Sequence, residues 1–287
     1  MKIATTMPII TNRDQLMRNI AYFWDQISDG WRMVWGPHIH HGFYESDERT
    51  TPLIAQEKLI QKLADGLSIK PDAKILDVGC GLGGSSFYLA QYYQAHLTGI
   101  TLSKQQLQMA EHHQQINHIK NVSFAIEDAL SLQQFKNQSF DIVWSLESCE
   151  QFYDKGMFIN AAHRVLKPNG RFMIATWCAN QFEYQALLAK KYRKLCLAFD
   201  LPYMPPKDYY VTLLKNQGFT LDGVFDWSSH VKKSWDIGRR MVQVYSLWQI
   251  WRKSGWQGLK FVKQLRLMQD AFESGMLQYI VFYATKP

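Results

Sequence analysis

Residues 73–86 read AKILDVGCGLGGSS. The first half is a short apolar run that suits a buried strand, and it stops at a glycine. Glycines at 79, 81, 83 and 84 then let the backbone turn sharply and let a ligand approach main-chain N–H groups closely. A helical stretch over 84–93 follows, so the unit reads strand, glycine turn, helix. The spacing is DxGxGxG, with Asp77 two residues before Gly79, and differs from the GxGxxG of a dinucleotide site.

The same alternation continues outward. AHLTGI (95–100), VSFAIE (122–127), FDIVWSL (140–146) and RFMIATW (171–177) read as strands. Ser103 is an N-cap candidate for the helix after the second strand, and a helix near 155–166 meets a stop signal at Lys167-Pro168-Asn169-Gly170. Repeated β-α units predict a parallel sheet with helices on both faces. Before this core, residues 13–29 have helical spacing ending near Gly30, an aromatic-rich loop covers 31–50, and Thr51-Pro52 opens a helix to about Ala64. After it, 181–217 reads as mostly helical with a break at Leu201–Pro206, and FTLDGVFDW (219–227) as a strand. Two amphipathic helices follow, one using Met241, Val244, Tyr245, Trp248 and Trp251, the other Phe261, Val262, Leu265, Met268 and Phe272. LQYIVFYATKP closes the chain as a last strand. The expected fold is α/β, one domain with a Rossmann-like, seven-stranded, mostly parallel sheet. Residues 1–70 form a helical cover, 71–180 the ligand-binding core, and 181–287 lid helices and the last strands.

An acid at position 77 would repel a pyrophosphate, yet it suits an amino acid's ammonium group. That chemistry fits S-adenosylmethionine better than NAD. Rossmann-type sites usually carry an acid at the end of the second strand. Here Thr101 stands in that region, and Thr101 and Gln106 are candidates for the ribose hydroxyls. Asp128, just past the third strand, is a candidate for the adenine amino group or, alternatively, a helix cap. With Asp77, Gly79 and Gly81, the candidate cofactor set is completed by Leu102, Ala129 and Ser145.

Composition narrows the partners. The net charge of +7 is local: between Val231 and Arg266 nine cations accompany one acid, and the rest of the chain sums close to neutrality. Trp235, Trp248, Trp251 and Trp256 interleave with those cations, a mixture suited to an anionic bilayer surface or to a lid with solvated charges. Nucleic acid is the weaker expectation, because the charges alternate with large apolar residues at helical spacing. Cys80, Cys149, Cys178 and Cys196 are scattered without a CxxC pair, as reduced buried thiols are. The opening MKIATTMPIITNRDQ lacks the apolar core of a secretory signal, and no apolar run reaches membrane-spanning length. The expectation is a cytoplasmic chain, peripheral at a membrane if the 231–266 segment meets one.

ILDVGCGLGGSS, GITLSKQQ, VWSLESCEQF, RVLKPNG and ATWC resemble the class I S-adenosylmethionine-dependent methyltransferases. WGPHIHHGFY, DWSSHV and GMLQYIVFYATKP are similar to the γ-tocopherol and 2-methyl-6-phytylbenzoquinol methyltransferases in particular, and the resemblance covers roughly residues 20–287. GITLS is also similar to the cyclopropane synthases of fatty and mycolic acids. The family usually reads ESGEHM where this chain has Cys149 and Gln151, beside the expected acceptor pocket.

The resemblance implies methylation of a small apolar or aromatic acceptor, first a tocopherol-like phenol or quinol on carbon. The alternative is N- or O-methylation of an indole, amine or hydroxyl; more distant are nucleic-acid methylation and a binding protein without turnover. Methyl transfer from a sulfonium is an in-line displacement in which the protein mainly positions the partners, and a phenolic acceptor gains from a general base. Neither route requires a metal ion. His38, His40 and His41 lie in one short segment that is expected to be extended, so His38 and His40 point one way and His41 the other. Packing under a lid, metal ligation and acid/base work are all open to them, with His40 and His41 as base candidates. Glu147 and Glu150, past the fourth strand, are the carboxylate candidates for orienting the acceptor. Trp144 reads as core and Trp177 as a pocket wall.

Overall fold

The seven strand segments lie in one sheet. The computed structural model describes residues 9–45, 50–180 and 190–287. Its strands are β1 (Lys74–Val78), β2 (His96–Thr101), β3 (Val122–Ile126), β4 (Phe140–Leu146), β5 (Leu166–Ala179), β6 (Thr220–Asp226) and β7 (Leu277–Thr285). They are ordered β3-β2-β1-β4-β5-β7-β6. β1 to β5 pair in parallel, and β7 runs antiparallel between β5 and β6.

Side chains alternate between two cores, as the two-residue strand period requires. Leu76, Val78, Val143 and Ile174 join the core that includes α5 (Lys155–Val165) and α7 (Lys207–Asn216). Ile75, Trp144, Met173 and Tyr279 join the other, which takes in α2 (Pro52–Asp65), α3 (Gly84–Tyr92) and α10 (Leu247–Glu273). Trp144 is fully buried, as its strand position predicts. The stop signal at 167–170 loops out as a bulge inside β5: Leu166 pairs with Phe140 and Arg171 with Ile142, and Asn169 turns through a φ of 61°. The strand order reverses between β1 and β4, so the carboxyl ends of β1, β2 and β4 open on a ligand crevice.

Ser103 caps α4 (Lys104–Ile116), its hydroxyl accepting from Gln106 N. The first helix departs from expectation. α1 (Arg13–Trp35) runs through Gly30 and stops at Gly36, whose φ of 99° and bond to Arg32 O make the cap. Gly30 instead permits close approach of α10: a Cβ there would stand 1.9 Å from Ser254 Oγ. The amphipathic helix expected across Met241–Trp251 is two helices. α9 (Lys233–Gln243) ends, and Ser246 with Gln249 forms a capping box that opens α10. The turn splits the expected stripe: Met241 and Tyr245 pack against the core, while Val244, Trp248 and Trp251 are 82%, 61% and 45% exposed. The second stripe does face inward, with Leu265, Met268 and Phe272 buried. α6 (Lys190–Ala198) and α7 flank the proline segment as expected, while the helical reading of 181–189 and the loop at 46–49 lie outside the described residues. The short α8 (Ser228–Val231) joins β6 to α9. All four cysteines are free and buried, and no helix among the described residues is long and apolar enough to cross a membrane.

Because the α1–α10 seam closes over a glycine, a large side chain must separate the helices. Gly30→Leu is expected to destabilise the protein by about 1–3 kcal/mol through overpacking. Thermal denaturation reads this as a lowered midpoint; an unchanged one would mean that the seam is not closed in solution.

Candidate functional site

The glycine turn is held from three sides. Gly79 and Cys80 both donate backbone N–H to Ile100 O, which fixes the turn against the end of β2. A Cβ at Gly79 would lie 2.3 Å from Ser148 Cβ, and one at Gly84 2.5 Å from His38 Nδ1. Gly79 and Gly81 have φ of 78° and 55°, conformations that favour glycine. The loop is therefore clasped by the turn after β4 and by the histidine segment, and neither clasp tolerates a side chain.

Asp77 lines the resulting crevice yet is only 2% exposed. Ser86 Oγ donates to its Oδ2 at 2.6 Å. Burial pushes the carboxyl up to about 7, against the smaller pull of Ser86. At the end of β2, Thr101 Oγ1 donates to Gln106 Oε1 at 2.7 Å and accepts from Ser103 N, so the two candidate ribose ligands orient each other. Leu102 and Ala129 line the same crevice, together with Met17, Ile20 and Trp24 from α1. The crevice measures about 1020 Å³ including its mouth.

Two candidate cofactor residues have other work. Both Asp128 oxygens are engaged, Oδ2 by Arg13 at 2.5 Å and Oδ1 by Leu130 N at 2.9 Å. The acid thus caps its own turn and ties down the start of α1, although it still borders the crevice. Ser145 is fully buried beneath the site; its hydroxyl bonds Ser148 Oγ at 2.9 Å, and Ser148 in turn donates to Val78 O. Asp25, which no sequence motif marked, latches α1 to α4 by accepting from Ser103 Oγ and Gln105 N.

A second compartment, of about 770 Å³ including its mouth, opens beside the first. Trp24, Ile39, His40, Glu147 and Gln151 border both, so the two share a wall. Its other surfaces are largely aromatic, with Trp177, Phe199, Trp235 and Phe261 among them. Trp177 is thus a pocket wall, as expected.

The histidines separate as their spacing predicts. The His38 and His40 rings sit together, 5.1 Å apart, whereas His41 turns to the second compartment and to Trp235 and Tyr279. Burial, with His40 nearby, drives the His38 ring down to about 3, so it is neutral. Burial also lowers His40, whose Nδ1–H donates to His41 O at 2.7 Å. His41 Nδ1 lies 2.6 Å from Glu147 Oε2, while its backbone N–H and Tyr279 OH both donate to Oε1 at 2.9 Å. Burial alone would raise the Glu147 carboxyl; the His41 ring and its hydrogen bonds outweigh that and hold it below the ordinary range. His41 Nε2 is buried and finds no partner among the described residues; with Nδ1 donating to Glu147, the neutral ring carries its lone pair there. Glu147 occupies the left-handed region, φ 49°, an uncommon backbone for glutamate that aims the carboxylate at His41.

Glu150 is buried, borders the second compartment and has both carboxyl oxygens unpartnered. Of the two departures from the family motif, Gln151 is the one in the wall: it accepts from Trp24 Nε1 at 3.0 Å and donates to Phe199 O. Cys149 points into the opposite core, against Tyr210 OH, because the 3₁₀ turn 149–151 rotates it under the sheet. Among the described residues, no three His, Cys, Asp or Glu gather to hold a metal ion.

Comparison with known proteins agrees with this geometry. Residues 69–227 match the methyltransferase domain family. The chain is 32% identical to the chloroplastic tocopherol O-methyltransferase of Arabidopsis thaliana, over 96% of this chain and 84% of that one. It is 31% identical to the 2-methyl-6-phytyl-1,4-hydroquinone methyltransferase of Synechocystis, over 99% and 93%. This chain belongs to the S-adenosylmethionine-dependent methyltransferases. The cyclopropane synthase MmaA2 of Mycobacterium tuberculosis shares the fold, with a TM-score of 0.83 at 20% identity over 94% of this chain and 98% of that one.

The crevice fits S-adenosylmethionine. A methyltransferase of this construction would hold the amino acid end against Asp77 and the glycine N–H groups, the ribose against Thr101 and Gln106, and the adenine among Leu102, Ala129 and the α1 cover. A buried acid that is largely protonated below about pH 7 must ionise to meet an ammonium group. Binding then releases a proton below that pH, so affinity rises with pH and levels off above about 7. Calorimetric titration with S-adenosylmethionine in buffers of different ionisation heat is expected to show that release. Asp77→Asn should abolish the pH slope and weaken binding roughly 10- to 100-fold, the scale of one charge-assisted hydrogen bond. A pH-independent wild-type affinity would exclude Asp77 from this role.

Proposed function

We propose that this methyltransferase methylates a tocopherol-like phenol or hydroquinone at a ring carbon, with His41 as the general base. One observation carries the reading: His41 Nε2 is a buried, unpartnered ring nitrogen at the wall of an aromatic compartment, with the ring's other nitrogen fixed by Glu147. A phenolic hydroxyl supplies the donor this atom lacks. Glu147 keeps the proton on Nδ1 and stabilises the imidazolium that forms when Nε2 takes the hydroxyl proton. Losing that proton pushes electron density from oxygen onto the ring carbons, making them nucleophilic. When bound, the cofactor would supply an electrophilic sulfonium methyl and leave as a neutral thioether; the methylated ring carbon then loses its proton to restore the aromatic ring, and one proton is released per turnover. Trp24, His40 and Gln151 in the shared wall then serve to keep water out and to align ring and methyl.

The relatives named for tocopherol and for methylphytylhydroquinone support this class of acceptor. The test offers methyl-deuterated S-adenosylmethionine with prenylated quinols in one set and indoles and tertiary-amine precursors in the other. Label on a ring carbon is the expected outcome; label on oxygen or nitrogen would refute the assignment. His41→Ala should lower kcat by about 10²- to 10⁴-fold while cofactor affinity is kept, and Glu147→Gln should lower kcat on the same scale and also weaken cofactor binding through the freed histidine loop.

We further infer that the protein collects its acceptor from a membrane surface. Leu247, Trp248, Trp251 and Trp256 are exposed by 45–78% on α10, whose Phe261 and Leu265 border the acceptor compartment. Arg252 stands over the Trp248 ring at 5.5 Å, and the surrounding cations suit anionic headgroups. Flotation should carry the protein with acidic phospholipid vesicles, and replacing Trp248, Trp251 and Trp256 by serine should release it. No flotation even on acidic lipid would sink this part of the reading.

A further inference from the structure

The acceptor compartment holds a second polar group that general base catalysis does not use. Glu150 is 3% exposed, and neither carboxyl oxygen finds a hydrogen-bond partner among the described residues. The nearby cation is committed elsewhere: Lys155 Nζ donates to the backbone oxygens of Glu150, Phe152 and Tyr203 at 3.0, 2.8 and 3.3 Å. The Thr176 hydroxyl lies close enough to pull the Glu150 carboxyl down a little against its burial, but makes no well-aligned hydrogen bond among the described residues. The Glu150 backbone N–H, Lys155 and Thr176 offset the burial of this carboxyl only in part, and an apolar side chain of similar size would be cheaper to bury here. It borders the same compartment as His41, amid aromatic walls.

We propose that Glu150 is a specificity residue, a carboxyl that donates a hydrogen bond to a second oxygen on the acceptor ring while His41 holds the first. The proposal rests on the phenol or hydroquinone reading and deepens it: the preferred substrate is a ring with two oxygens, a hydroquinone or its cyclised ether. Burial pushes the Glu150 carboxyl up to about 8, so it keeps its proton near neutrality and is a donor. A donor is what an ether oxygen requires, since the ether can only accept. An ionised carboxylate would serve a hydroquinone hydroxyl but would repel the ether. On this reading His41 Nε2 accepts and Glu150 donates, two points of opposite sense in the compartment's wall.

The experiment compares a hydroquinone and its cyclised ether with a matched monophenol lacking the second oxygen, using wild type, Glu150→Leu and Glu150→Gln. Glu150→Leu is expected to lower kcat/KM for the two-oxygen rings about tenfold or more, chiefly through KM, and to leave the monophenol within about twofold. Glu150→Gln, which retains an N–H donor, should keep the two-oxygen rings within about threefold of wild type. Cofactor affinity should stay unchanged throughout; Glu150→Met replaces Glu150→Leu if that variant fails to fold. Equal losses on both kinds of ring, or a Gln variant as impaired as Leu, would overturn the anchor and leave the base intact. A wild type inactive on every phenol and hydroquinone would overturn the acceptor reading, and the anchor with it.

Discussion

The Glu147 carboxylate accepts three hydrogen bonds, two from His41 and one from Tyr279, and these join the histidine loop, the end of β4 and the last strand. A buried anion is tolerable only when its lone pairs are satisfied this fully. The left-handed backbone at Glu147 costs on the order of 1–2 kcal/mol. Hydrogen bonds to a charged group contribute about 1.5–3 kcal/mol each, so the strain is outweighed several-fold. Both compartments border on this residue. Loss of the carboxylate would free the loop that covers the glycine turn, together with the base that it orients.

Closure over the cofactor crevice depends on α1. Asp25 holds the helix to the start of α4, Arg13 holds its first turn to Asp128, and Trp24 reaches Gln151. The same helix meets α10 at the Gly30–Ser254 seam, so one element roofs both compartments. Lys155 plays a matching part below. Its three carbonyl bonds and its stacking over Tyr203 at 4.0 Å fix the 149–152 turn that carries Glu150 and Gln151. Burial lowers its ammonium to about 8, yet these contacts keep the proton useful as a clamp.

What the sequence made legible was local or periodic. Strand alternation, the glycine turn, the Ser103 cap and the opposed directions of His38/His40 and His41 all follow from neighbouring residues. The contacts that complete the site join residues 106 to 132 positions apart, as in His41–Glu147 and Glu147–Tyr279, and no local pattern encodes such pairs. Asp128 shows the same limit: an acid after a strand is offered as an adenine ligand or a cap, and no local pattern marks Arg13, 115 positions away, as a partner of its carboxylate. Gly30 misled because glycine marks both helix ends and helix crossings. The Ser246 capping box was present in the sequence, but the stripe of large apolar residues from Met241 to Trp251 hid it.

The motif departures bear on specificity unequally. Cys149 lies in the opposite core beside Tyr210, so its exchange for glycine alters packing far more directly than it alters the acceptor. Gln151 occupies the wall between the compartments, where its amide is held at both ends by Trp24 and Phe199. A histidine at this position would place a titratable ring where this chain has a fixed neutral amide. On the proposed reading the proton chemistry belongs to His41 and Glu147, and the wall at residue 151 supplies shape. With the acceptor's oxygen at His41, as proposed, Gln151 and Trp24 bound how far its ring can advance toward the cofactor crevice.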